Sequence, residues 1–486
     1  MKSDPRVLLV FPSFDYEEQY GGLAKAASSM VPVSLIYLGT YLKQKGIPVQ
    51  IFDGQVMEQT EAAVRRQIEE FAPTMVGITT YTPMAPDAHK IASVIKKIDP
   101  GLPVVMGGTH PSVLAREVMA DPNVDYVVRG EGEETILELV EALSSEGGEE
   151  SLERVLGLTY RKGTELVSNP SRALEVDLDK LPIPDWSMLP LDRYHQLPES
   201  TFRTPVRAIL TSRGCPYKCV YCSSRYTSGY KYRYRSADNV CEELDILINQ
   251  YGARQILFLD DNFVVNKKRT HELMDAMIQR GFHKKILWTC AGRVDQVDQP
   301  LLEKMKAAGC KLMSFGIETG SQRLLDLLKK GAKVEQARKA VEMARKAGLK
   351  TRGTMMLGIP TETREESLAT IQFAKDIGLN FAKFSLTTPY PGTEIYNYAK
   401  ENNLIEGEDW KRFSSQAGYA NFDPIFVPEG RTAEELKTLQ RRAMREFYFR
   451  PRQVIDMLKN MSSVADIGLY FTVAKSLVFG TQKLED

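Results

Sequence analysis

The 486-residue chain is poor in cysteine, with six in all, carries no excess of either charge, and has no long hydrophobic run. Each scarcity excludes something. Sixty-three basic residues balance sixty-three acidic ones, so no bulk charge draws the chain to nucleic acid. No apolar run approaches the roughly 20 residues that a membrane-crossing helix needs. The cysteines are too sparse for a disulfide scaffold, and with no secretory leader they fit a reducing, cytoplasmic setting. What remains is a large globular chain, 43% apolar, long enough for two or three domains that each bury a core.

Three of the six cysteines fall within eight residues. Cys215, Cys219 and Cys222, in Arg213-Gly-Cys-Pro-Tyr-Lys-Cys-Val-Tyr-Cys222, form a C-x3-C-x2-C triplet. Thiolates are the usual ligands of iron–sulfur clusters, and a four-iron cluster has four iron corners to fill. A compact triplet therefore leaves one iron open to a substrate or cofactor. A zinc site would want four tetrahedral ligands, usually as two separated pairs, whereas Cys241, Cys290 and Cys310 stand alone and far apart.

Ahead of the triplet, short apolar runs at 6–11, 49–52, 75–78, 104–106 and 126–128 alternate with amphipathic stretches such as 35–45 and 62–71. This rhythm predicts an α/β fold beginning with a doubly wound, five-stranded parallel sheet over residues 1–150. Ligands of such sheets bind at the carboxyl ends of the strands. Those ends carry Thr79, Thr80, Gly107, Gly108, Thr109 and Glu131, and the small residues among them let backbone approach a bulky ligand. Residues 151–200 predict a hairpin around a Lys-Gly turn and then a proline-rich linker. From residue 206 six further apolar runs (206–210, 255–259, 286–290, 312–317, 351–357, 381–386) predict a partial (β/α)6 barrel over 201–400. Gly309 and Gly348 are set to cap helices before the next strand. Residues 401–486 predict a helical cap, including a charged helix at 432–446 and an apolar, lysine-tipped stretch at 454–478 whose default is packing but whose apolar face could rest on a membrane or admit lipid.

The triplet, with Pro216, Tyr217 and Tyr221 inside it, resembles the signature of the radical S-adenosylmethionine (SAM) enzymes. The doubly wound module before it resembles the cobalamin-binding domain of the cobalamin-dependent branch, and the run 444–451 resembles the part of that branch containing the anaerobic magnesium-protoporphyrin monomethyl ester cyclase. The resemblance implies a 4Fe-4S cluster on the three cysteines, SAM on its open iron, cobalamin between the two domains, and a reduced flavodoxin or ferredoxin as electron donor. One electron then cleaves SAM to methionine and a 5'-deoxyadenosyl radical, which takes hydrogen from an unactivated carbon for methylation or oxidative cyclisation. A tetrapyrrole or lipid, small and hydrophobic or anionic, is the implied substrate class. A relative that has lost cobalamin and acts on lipid chains, or an RNA-modifying protein, is the alternative.

For SAM, the resemblance assigns Asp260 or Asp261 to the ammonium, Glu318 and Ser321 to the ribose, and Tyr221 with the backbone from Met355 to Gly358 to adenine, with Arg293 at the same rim. Helix capping by Asp261 or Ser321 and a salt bridge at Glu318 or Arg293 are the structural alternatives. For cobalamin it assigns Thr79, Thr80, Gly107, Gly108, Thr109 and Glu131. The loop after the first strand lacks the D-x-H-x-x-G that supplies a lower cobalt ligand, and His89, in a partial match after the third strand, reads as a helix-surface residue. Lys231, Arg233 and Arg235, interleaved with tyrosines, read as a lid over the cluster or a clamp for an anionic substrate rather than an RNA platform.

Overall fold

The computed structural model describes residues 4–21, 24, 28–145, 148–194, 201–405, 407–451 and 453–455. The first sheet is built on β1 (Val7–Phe11), β2 (Val49–Asp53), β3 (Met75–Thr79), β4 (Val104–Gly107) and β5 (Tyr126–Val128), all parallel in the order β2-β1-β3-β4-β5. Every residue of β1 and β3 is buried, which is why these strands read as continuous apolar runs: helices cover both faces.

The sheet does not stop at five strands. The hairpin β6 (Leu158–Lys162) and β7 (Glu165–Ser168) continues it, with β6 antiparallel to β5 through Tyr126↔Tyr160 and Val128↔Leu158. A three-residue β5 would leave a bare apolar edge. The hairpin covers it and ends the sheet on half-exposed, polar β7, which resists further pairing.

The residues expected to link the domains are packed. Leu178, Trp186, Leu189 and Leu191 are buried, and the Trp186 indole donates to Glu243 at 3.0 Å. One apolar core runs from the first sheet through Trp186, Leu189 and Leu191 into the second.

The second sheet is six parallel strands in the order β15-β14-β13-β12-β11-β8: β8 (Val206–Ile209), β11 (Gln255–Phe258), β12 (Leu287–Arg293), β13 (Cys310–Glu318), β14 (Lys350–Leu357) and β15 (Phe381–Leu386). Gly309 and Gly348 take positive φ, +100° and +76°, at the turns into β13 and β14. Two short strands went unread in the sequence, β9 (Ser212–Arg213) and β10 (Arg233–Tyr234), which pair antiparallel and bracket the cysteine loop.

The charged helix spans Ala433–Tyr448; the Thr432 hydroxyl accepts from the Glu435 amide at 3.2 Å to cap it, and Phe447 packs on Phe384 of β15. No helix among the described residues is long and apolar enough to cross a membrane. The stretch 456–478, most of the proposed membrane-contacting segment, lies outside the described residues.

Candidate active site

The carboxyl ends of the two parallel sheets face each other across a cavity of about 510 Å³. One rim supplies Thr79, Gly107, Gly108, Thr109 and Glu131; the other supplies Leu210, Arg213, Leu257 and Leu259. Its walls are chiefly apolar, with Leu9, Val31, Leu38 and Ile136 among them.

The cysteine loop leaves β9 through Gly214, whose φ is +84° and where any Cβ would collide with the carbonyl oxygens of Lys231 and Ser228. The loop is pinned to the barrel by the Cys215 amide on Gly229 O (3.3 Å), the Val220 amide on Leu328 O (3.1 Å) and the Ile395 amide on Val220 O (3.2 Å). All three thiols are partly exposed, and Cys222 Sγ meets Ser224 Oγ at 3.0 Å. Among the described residues no three His, Cys, Asp or Glu side chains converge on a single ion.

Arg293, at the end of β12, reaches toward this loop. Its guanidinium lies over the Tyr217 ring at 3.6 Å, is held by Asp295 at 2.9 Å on two nitrogens, and points Nη1 at Cys219 Sγ from 3.8 Å. Glu318, at the end of β13 with φ +70°, accepts from Lys330 Nζ at 2.7 Å and from the Tyr221 hydroxyl at 3.0 Å. Burial first, and the Glu318 carboxylate second, raise the Tyr221 pKa well above the usual phenol range. Gly316 makes room for this group: a Cβ there would lie 2.7 Å from Glu318 Oε1 and 2.9 Å from Lys330 Nζ. Lys330 was missed in the sequence, since nothing in a lysine twelve residues downstream marks it as a partner.

The two aspartates of β11 separate. Asp260 is buried and accepts from Thr211 Oγ1 at 2.8 Å and from the Ser212 hydroxyl, so its oxygens tie β11 to β8 rather than face a ligand. Asp261 is exposed to solvent, and desolvation by the surrounding protein, then Asp260, raises its pKa. Its neighbour Asn262 is buried with neither amide atom partnered among the described residues.

Ser321 caps the helix Gln322–Leu327, accepting from the Leu324 amide at 3.4 Å while donating to Glu366 at 2.8 Å, which is the structural alternative. Met355 is fully buried, and Gly358, φ +73°, gives its amide to Glu362.

On the first rim Gly108 has φ +102°, and a Cβ there would come within 2.8 Å of Thr80 O, so only glycine lets the ends of β3 and β4 pack this closely. Thr79 and Thr80 are buried, and Thr80 Oγ1 has no partner among the described residues. Thr109 opens the short helix Thr109–Val113. No described residue lining the cavity is a histidine. His89 pairs with Asp121 at 2.7 Å on the helix surface, and His110 packs edge-on against Trp410.

The basic loop corrects an expectation. Strand alternation at β10 turns Arg233 and Arg235 inward, where Arg233 donates to Glu131 at 2.9 Å and Arg235 to Glu243. Neither is a lid or a clamp for an anion. Glu131 also lies 3.4 Å from Arg213, which donates to Glu133 at 2.6 Å and stacks over Tyr37. Burial pushes the Glu133 carboxyl up, but Arg213 and then Arg233 outweigh it, leaving the pKa below the usual range. These pairs bolt the first sheet to the second, with Glu131 at once a cavity-lining residue and a structural anion.

Comparison with known proteins agrees with this geometry. Residues 21–140 match the B12 binding domain and residues 209–374 the radical SAM superfamily. An uncharacterized methyltransferase of Pyrococcus horikoshii is 39% identical over 425 residues, covering 87% of this chain and 89% of that one. An anaerobic magnesium-protoporphyrin IX monomethyl ester cyclase of Cereibacter sphaeroides is 29% identical, covering 92% and 70%. The solved structure of the radical SAM methyltransferase TsrM from Kitasatospora setae shares the fold at TM-score 0.70 and 20% identity, covering 93% and 86%.

The chain belongs to the cobalamin-binding radical SAM family, the group of methyltransferases and cyclases. It is therefore an enzyme that uses a 4Fe-4S cluster, SAM and cobalamin and needs an electron donor. The three partly exposed cysteines, one of them beside a guanidinium, fit the first of these groups, and the side-chain-free Gly107-Gly108 backbone with the orphaned Thr80 hydroxyl fits the last.

Proposed function

We propose that the protein methylates or oxidatively cyclises an unactivated carbon of a hydrophobic biosynthetic intermediate, a tetrapyrrole or a lipid, between the two sheet rims. The observation that carries this is the apolar cavity bounded by both sets of strand ends, one bearing the cysteine loop and the other bare backbone. Relatives acting on tetrapyrroles support the first substrate class: the magnesium-protoporphyrin cyclase above, and a bacteriochlorophyllide d C-8(2)-methyltransferase of Chlorobaculum tepidum, 27% identical over 356 residues.

In this reading Cys215, Cys219 and Cys222 hold the cluster. Asp261, not Asp260, meets the SAM ammonium, since only Asp261 has an accessible carboxylate. Glu318, oriented by Lys330 and Tyr221, faces the ribose, and the Met355 to Gly358 backbone borders the adenine. Thr79, Thr80, Gly107, Gly108 and Thr109 would receive the corrinoid tail. When bound, the cluster and SAM supply one-electron cleavage and hydrogen abstraction, and cobalamin supplies methyl or redox chemistry. The chain orients these groups and excludes water with apolar walls. The electron donor is a reduced flavodoxin or ferredoxin.

The test is anaerobic expression with hydroxocobalamin and reconstitution with iron and sulfide. Corrinoid per chain and dithionite-driven 5'-deoxyadenosine are measured first, then tetrapyrroles and lipids are offered and searched for an added methyl or a new ring. Corrinoid binding and SAM cleavage with no product from either class would overturn the substrate reading.

A further inference from the structure

The cysteine loop has a face turned to Arg293 and another turned to solvent. Lys218, between Cys215 and Cys219, is exposed, as are Pro216, Tyr230 and Lys231. The Lys218 ammonium lies 5.9 Å from the Tyr230 ring centroid. The Arg225 guanidinium lies 6.0 Å from that centroid and donates to the Tyr230 hydroxyl at 2.7 Å. Among the described residues none of Lys218, Arg225 and Lys231 has a carboxylate within salt-bridge distance, while Arg233 and Arg235, just beyond, are buried and neutralised. In a chain with no net charge, two uncompensated cations over one aromatic ring, with exposed Lys231 next to that ring in the chain, are a local feature.

We propose that this patch is the docking surface for an acidic one-electron carrier protein, a flavodoxin or ferredoxin. The inference rests on the assignment of the cluster to the three cysteines. The reaction takes one electron from outside: the carrier is oxidised by one electron and the cluster reduced by one. Lys218 sits between two of the ligands, so a partner docked on it lies against the cluster loop without opening the cavity. Lys218, Arg225 and Lys231 match an acidic partner, and opposite charge accelerates encounter. The patch is small, in keeping with the low buried area of electron-transfer encounters, and Tyr230 supplies the aromatic contact such interfaces favour.

The test uses the reconstituted holoenzyme with two donors, photoreduced flavodoxin and dithionite, following bleaching of the cluster's visible absorbance. In K218E/K231E, reduction by flavodoxin is expected to slow by about tenfold or more at low salt, with the gap closing as ionic strength rises. K218Q/K231Q falls between this and the wild type. Iron content and dithionite-driven 5'-deoxyadenosine stay at wild-type levels. Reduction of the charge-reversed protein by flavodoxin at the wild-type rate overturns the proposal. If K218E disturbs the cluster, K231E alone, outside the triplet, carries the same comparison, and a wild-type rate there overturns it equally. Failure of dithionite to reduce the wild type would instead count against the cluster assignment.

Discussion

The two sets of strand ends are made of opposite materials. The first, at the ends of β3 and β4, is small and uncharged: Thr79, Thr80, Gly107 and Gly108 offer bare backbone and hydroxyls. The second, at the ends of β8 and β11 to β13, carries the thiols, Asp261, Arg293 and Glu318, with Lys330 set against Glu318. One rim is shaped for a large ligand by what it omits, and the other is arranged by charge. The ion pairs of Arg213 and Arg233 with Glu131 and Glu133 hold the two at a fixed separation. The difference teaches that a shared strand-end rule can serve two chemistries, because loops choose the residues while the sheet chooses the place.

That contrast breaks most sharply at the charged rim. Cys219→Ala is expected to lower dithionite-driven 5'-deoxyadenosine by about a thousandfold or more while corrinoid still binds the other rim, measured on one reconstituted sample. Surviving SAM cleavage would sink the cluster assignment.

The bolt between the rims comes next. Arg233→Met leaves Glu131 without its main buried partner and should cost about 3 kcal/mol of stability in denaturant unfolding. The double variant with Glu131→Gln should recover part of that loss; a strictly additive double variant would deny the coupling.

A smaller effect isolates the neutral rim. Gly108→Val places a side chain where 2.8 Å separates even a Cβ from Thr80 O. Corrinoid retention is expected to fall about tenfold or more with SAM cleavage preserved. Equal loss of both would mean that the rims are not separable.

The smallest expected effects set the two regions against each other by pH. Burial pulls His110, beside the first rim, down from 6.5 to about 4, so the unfolded chain binds more protons between those values. This group's contribution is therefore lost as pH falls through that window. Burial pushes Glu362, behind the second rim, up from 4.5 to about 7, so the native chain binds more protons there, and its contribution is lost as pH rises. H110Q should flatten the acid limb of a Tm-against-pH curve and E362Q the neutral limb, each by about 2–4 °C or less. Exchange of those two effects would reverse the burial argument.

Much of this was legible because buried parallel strands are unbroken apolar runs. Tyr126–Val128 and Phe381–Leu386 match the sequence reading end to end, and the helix expected at 432 starts where Thr432 can cap it. The cysteine loop and the glycine pair stood out for the same reason: local spacing and the missing Cβ are written within a few residues. What went unread depends on distance. The hairpin β6–β7 has the right shape in isolation, yet its membership of the first sheet depends on the short, bare edge of β5. Arg233 looked like a free cation because Glu131 is 102 residues away. Asp260 and Asp261 look equivalent in a row, and only the closure of β11 onto β8 buries one oxygen pair and frees the other.

The sequence by itself determined the two α/β units, the order of their strands' appearance and the cysteine spacing, since each follows from periodicity and local backbone geometry. Tertiary structure alone decided which charges are free and which are paired, because a buried ion takes its partner from whatever surface docks against it. That docking joined Arg233 to Glu131 and left Lys218 in water.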